Sequence, residues 1–140
     1  MAECKEDELV LAVINLHGKI HKRAGGTLSI HGIGLTEYLV LHQLVLATNQ
    51  TMRRVDLAEQ VGLSPSGITR LLNPMEKIGL IEKELNPRDA RVSLVALSVA
   101  GKRIYEEAKV SFGHTSKSLF EPLDSKQLGT LFELVKVVAR

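Results

Sequence analysis

The stretch RVDLAEQVGLSPSGITRLL, Arg54 to Leu72, constrains this chain more than any other. Leu57, Ala58 and Val61 recur at helical spacing, Gly62 breaks the helix, and Leu63 is expected to anchor the turn in the core. Ser64 is placed to cap a second helix by accepting from its free N–H groups, and Pro65 suits that helix's first position. Ile68, Leu71 and Leu72 give the second helix one apolar face. Two short helices set at a steep angle by a glycine turn make a helix-turn-helix. Ser64, Pro65, Ser66, Gly67, Thr69 and Arg70 are left pointing outward. They are small, polar or cationic, which is what a helix entering the major groove of DNA requires.

After Gly79 the period changes from helical to alternating. LIEKEL and VSLVAL read as two strands joined by the turn residues NPRDAR, a hairpin directly after the second helix, which is the wing of a winged helix. Four further helices accompany this motif. The first, Asp7 to about Ala24, carries the stripe Leu9, Val10, Val13, Leu16, Ile20 and Ala24; Gly25-Gly26 is expected to end it, with a loop running to Gly34. Thr36 is expected to cap EYLVLHQLVLA, which is apolar nearly all round and so central to the core. Ser98 caps a long helix after the wing. Asp124 and Gln127 form a capping box for the last, whose stripe is Leu128, Leu131, Phe132, Val135 and Val138.

The expected fold is mainly α with a small β-hairpin wing. It is a winged helix-turn-helix (35–97) between an N-terminal dimerisation helix and loop (1–34) and C-terminal dimerisation helices (98–140), one compact chain rather than independent domains. A length of 140 residues suits one domain, and aromatics are so few (4%) that its core must be aliphatic. The terminal stripes have no sheet to cover them, so the same helices of a second copy are expected to do so.

Net charge is only +2, and Thr51 to Arg91 holds seven Lys/Arg against six Asp/Glu. Affinity for a polyanion must therefore come from where Arg53, Arg54, Arg70, Arg88 and Arg91 sit. Arg53 and Arg54, just before the first helix of the motif, suit phosphate contacts. One cysteine, no signal-peptide pattern and no membrane-length apolar run point to a reducing cytoplasm and no membrane partner. No Gly-rich phosphate loop, H-E-x-x-H motif or nucleophile with its base occurs, so an enzyme is not expected.

The run LSPSGITRLLNPMEKIGLIEKELNPRDARVSLVALSVAGKRI, Leu63 to Ile104, resembles the MarR family of bacterial transcriptional regulators. The shared parts are the SPS start of the second helix, E-K-x-G-L-I (Glu76 to Ile81), the wing tip D-x-R (Asp89, Arg91) and L-S-x-x-G (Leu97 to Gly101). The order of elements agrees along nearly the whole chain. The resemblance implies that Ser64, Pro65, Ser66, Thr69 and Arg70 touch bases and phosphates, and that Arg88 or Arg91 approaches the minor groove. Asp89 is expected to brace the wing, by pairing with Arg91 or by accepting backbone N–H bonds. The implied partners are double-stranded DNA with a pseudo-palindromic operator, a second copy of the chain, and a small-molecule effector that relieves repression. No cofactor is implied.

Some features are weaker. Gly67, one turn into the second helix, costs about 1 kcal/mol against Ala and fits either a close approach or simple drift. Pro74 is expected to bend its helix between Arg70 and Pro74, or to leave the Arg70 carbonyl facing solvent. His17 and His21 have chelating spacing but no third ligand nearby, so no metal site is assigned; Cys4, in an acidic tail, is not expected to sense oxidants. His17, Tyr38 and His42 are the candidate polar handles of an effector pocket. The competing readings are a winged-helix protein–protein module that binds no DNA and a metal-responsive regulator.

Overall fold

The computed structural model describes residue 3 and residues 5–140, except the side chain of Ala90; Cys4, and with it the expectation about its thiol, lies outside the described residues. The elements are α1 (Glu6–Ser29), α2 (Leu35–Leu46), β1 (Thr51–Arg53), α3 (Arg54–Val61), α4 (Pro65–Lys77), β2 (Ile81–Asn86), β3 (Asp89–Leu97), α5 (Val99–Leu119) and α6 (Ser125–Val138). It is a mainly α-helical chain with a small antiparallel wing.

α2 is the central strut. Val40, Leu41 and Leu44 are fully buried and share one cluster with Leu57 of α3, Ile68, Leu72 and Met75 of α4, Leu80, and Val95 of β3. Burying a Leu or Ile side chain contributes about 1.5–3 kcal/mol, so these contacts set the α3–α4 angle. Leu28 of α1 and Tyr105 and Ala108 of α5 belong to the same cluster, which makes the core continuous across the lobe and its flanking helices.

Three boundaries differ from the sequence reading. α1 does not end at Gly25-Gly26 but runs on to Ser29. Ala24 and Leu28, one turn apart, are both buried, and α5 receives the same face through Thr27 Oγ1 to Thr115 Oγ1 (2.6 Å) and Arg23 Nη2 to Ser118 Oγ (2.9 Å). Tertiary burial outweighs the low helix propensity of two glycines. The stop comes at Gly32, in the left-handed region (φ 77°), where the Ile33 N–H returns to the Leu28 carbonyl at 3.4 Å.

Thr36 does not cap α2. The N-cap is Gly34, whose N–H donates to Glu37 Oε1 at 2.7 Å, so the carboxylate serves the helix start from inside its first turn. The third difference is β1, where the sequence predicts only a lead-in to the motif. It pairs with β3 (Thr51 with Ala96, Met52 with Val95), so the hairpin becomes a three-stranded sheet of order β1-β3-β2. Three residues carry no readable alternation. The strand forms because β3 offers it an open edge.

Ser98 caps α5 as expected, accepting from Gly101 N at 2.9 Å, while its own hydroxyl donates to the Gly79 carbonyl at 2.6 Å. The Asp124–Gln127 capping box opens α6. α4 continues through Pro74 without a break, and both Arg70 and Pro74 are exposed residues of it. No helix among the described residues is long and apolar enough to cross a membrane.

Candidate nucleic-acid interface

α3 stops at Gly62 (φ 74°), and Leu63 N–H closes the turn on the Ala58 carbonyl at 2.9 Å. Leu63 is half-buried rather than a fully buried anchor, packed against the edge of the core. Ser64 Oγ accepts from Gly67 N at 3.0 Å and Pro65 begins α4. With Ile68, Leu72 and Met75 turned to the core, the opposite face of α4 presents Ser64, Pro65, Ser66 and Arg70 to solvent, with Gly67 and Thr69 at its half-buried edge.

Gly67 has a local explanation. A Cβ there would lie 3.1 Å from Ser64 Oγ, the atom that caps the helix. The missing side chain protects the cap.

The two arginines ahead of the motif are held differently. Arg53 is the N-cap of α3 and donates through Nε and Nη2 to Asp56 (2.8 and 3.0 Å). The Arg53 side-chain hydrogen bond holds the Asp56 carboxyl below the usual carboxylate range. Arg54 is the first residue of α3 rather than a flanking one, and its Nη1 donates to Thr69 Oγ1 at 3.1 Å. Thr69 in turn donates to the Pro65 carbonyl at 3.0 Å.

At the wing, Asp89 Oδ1 accepts both the backbone N–H and the Nε of Arg91 (3.0 and 3.1 Å), so both bracing modes expected of Asp89 occur together. Asn86 Oδ1 accepts from Arg88 N at 2.8 Å and shapes the tip. Arg53, Arg54, Pro65, Thr69 and Arg91 surround a cleft of about 350 Å³ between the start of α4 and β3. Three guanidinium groups and a helix N-terminus facing one shallow cleft suit an extended polyanion. Asp56 and Asn86 were missed in sequence; an acid three residues after Arg53 in a first helical turn is a readable signal.

The candidate effector handles are separated by environment. Tyr38 is buried (4% exposed), its ring 5.2 Å from that of Tyr105 and 4.8 Å from that of Phe112. Burial first, then Tyr105, pushes the Tyr38 hydroxyl well above its ordinary pKa, so it stays protonated. His42 Nδ1 lies 2.7 Å from the Tyr105 hydroxyl. His17 is exposed on α1, its ring 6.1 Å from that of His21. Tyr105 and Phe112, which join Tyr38 and His42 into one aromatic cluster, were not singled out in sequence; their seven-residue spacing on one helix face is the signal that was there. No group of three or more His, Cys, Asp or Glu suited to a metal occurs among the described residues.

These elements define a winged helix-turn-helix protein. Residues 33–93 match the family model described as "MarR family". An uncharacterized HTH-type transcriptional regulator of Bacillus subtilis, YhbI, is 26% identical over 102 residues, 73% of this chain and 65% of that protein. A second from the same organism, YwhA, is 29% identical over 61% of each chain. The chain thus spans under two thirds of the length of these relatives. The crystal structure of a mutant MarR from E. coli complexed with operator DNA superposes with a TM-score of 0.86, at 25% identity over 94% of both chains. Across its winged lobe the chain is similar to the MarR family.

Proposed function

We propose that the chain is a homodimeric, sequence-specific DNA-binding transcriptional regulator of the cytoplasm, a repressor released by a small-molecule effector. The observation that carries this reading is the cleft where Arg53, Arg54 and Arg91 meet the exposed start of α4. α4 enters the major groove by the edge from Ser64 to Arg70, and Arg88 or Arg91 follows the neighbouring minor groove. Residues 1–34 and 98–140 hold two copies together, so that two α4 helices meet successive half-sites. An effector seated by His17, Tyr38 and His42 favours a spacing of the two helices that no longer fits. The E. coli relative's complex with operator DNA supports the DNA arm of the reading.

A second reading has one observation in its favour: Arg53 and Arg91 are each already paired with an aspartate. A protein–protein module would need no free cations there. One experiment separates the two. Duplexes selected from a random pool by the purified protein are tested for gel shift at about 50 and 200 mM salt. The proposal expects enrichment of an inverted repeat and a steep fall in affinity with salt. It also expects Arg70→Ala to cost about 1–3 kcal/mol at one base step of the repeat. No enriched duplex at low salt overturns DNA recognition.

A further inference from the structure

Resting on the proposed DNA reading, we infer that Thr69 presents its methyl group, not its hydroxyl, to the groove and so reads the 5-methyl of thymine. The hydroxyl is already engaged within the helix-turn-helix. A threonine hydroxyl has one proton to donate and two lone pairs with which to accept. Its proton is spent on the Pro65 carbonyl one turn back (3.0 Å). One lone pair is taken by Arg54 Nη1 at 3.1 Å, a charge-assisted bond made at a part-buried site.

That arrangement ties the first turn of α3 to the second turn of α4, fifteen residues apart. Breaking it to free the hydroxyl for a base would strand a guanidinium N–H and a helix carbonyl together. Thr69 still borders the cleft with Pro65, half-exposed at the edge of the outward face of α4. With no proton left to donate to guanine or thymine, and one lone pair as its whole remaining capacity, the hydroxyl is a poor reader beside the Cγ2 methyl. In the major groove the apolar complement of that methyl group is the thymine 5-methyl. Arg54 is then a positioning residue: it fixes the rotamer of the side chain that reads.

The test uses the inverted repeat selected by the wild-type chain, with each thymine in one half-site replaced in turn by deoxyuridine, which removes only the methyl group. Wild type should lose about fourfold at one position, the value of one buried methyl group. Thr69→Val, which keeps a methyl group and lacks the hydroxyl, should retain that loss. Thr69→Ser, which keeps the hydroxyl and the Arg54 bond, should bind the thymine and deoxyuridine duplexes equally at that position. If no thymine position separates wild type from Thr69→Ser, the inference fails while DNA recognition stands. It also fails if Thr69→Val, folded by circular dichroism, binds the thymine and deoxyuridine duplexes equally at that position, because a retained methyl group would then have read nothing. If no duplex is selected at all, the underlying DNA reading is what has failed.

Discussion

Asp89 turns one carboxylate oxygen onto both the backbone N–H and the Nε of Arg91, and holds the wing tip without any help from the core. The Arg91 backbone bond first, and the Arg91 side chain second, lower the Asp89 pKa. A carboxyl whose folded pKa is depressed adds stability that is fully present above its unfolded value, about 3.9, and is lost as pH falls through the folded value. The lock is therefore intact at neutral pH and opens only in acid. A carbon-detected NMR titration of the Asp89 carboxyl should give a midpoint below that of an unstructured aspartate, and Arg91→Ala should move it upward. A midpoint at or above the ordinary value would mean that the wing tip is open at rest. At this scale the outward face of α4 was readable, because Ile68 and Leu72 fix by periodicity which side faces the core. Asp89 was expected as the partner of Arg91, and Asp56 stood at a readable spacing from Arg53, but the Arg54–Thr69 bond, fifteen residues apart, was not legible. A long guanidinium side chain reaches whatever acceptor the tertiary fold brings near, and sequence spacing carries little of that.

Glycine placement shows how element boundaries are decided by surroundings rather than by residue type. Gly26 lies within α1 with open space where a Cβ would go, whereas Gly101, in the first turn of α5, is buried directly against the Leu80 carbonyl. Helix propensity alone favours Ala at both sites by about 1 kcal/mol. The structure predicts opposite signs. Gly26→Ala should stabilise by about 0.5–1 kcal/mol. Gly101→Ala should destabilise by about 1–3 kcal/mol, since a backbone oxygen held by the Ser98 N–H has no room to yield. Urea midpoints of the two variants decide it, and a stabilised Gly101→Ala would mean that α4 and α5 do not meet through Leu80. The same contrast explains why α1 was read one turn short: the burial that carries it past Gly26 comes from α5, some eighty residues away. The winged lobe, whose turns and caps are local, was read almost as it stands. β1 was not, since it exists only through β3.

At the scale of the whole molecule, the first and last helices each leave an apolar face uncovered. Leu9 and Val13 of α1 are each 55% exposed, and Phe132 and Val135 of α6 are 61% and 54% exposed. α6 has no buried residue at all, although its capping box and its Lys136–Phe132 cation–π contact (4.7 Å) show a well-formed helix. An exposed apolar surface spread over two helices is unusual for a monomer, and a twofold arrangement covers the same patch on both copies at once. Fully burying one Phe contributes about 1.5–3 kcal/mol, and a twofold interface counts it twice. Phe132→Glu should therefore raise the dimer dissociation constant by about 10²–10⁴-fold, since each 1.4 kcal/mol is tenfold. Sedimentation equilibrium at micromolar concentration should show dimers for wild type and monomers for the variant. Phe132 is 61% exposed and is not a member of the core cluster, so the far-ultraviolet spectrum of the variant should still report a folded lobe. Its binding should fall to that of a single half-site, because two α4 helices no longer arrive together. A wild-type monomer under those conditions, or a variant that still pairs, would place the partner of α1 and α6 elsewhere and remove the geometric basis for release by an effector.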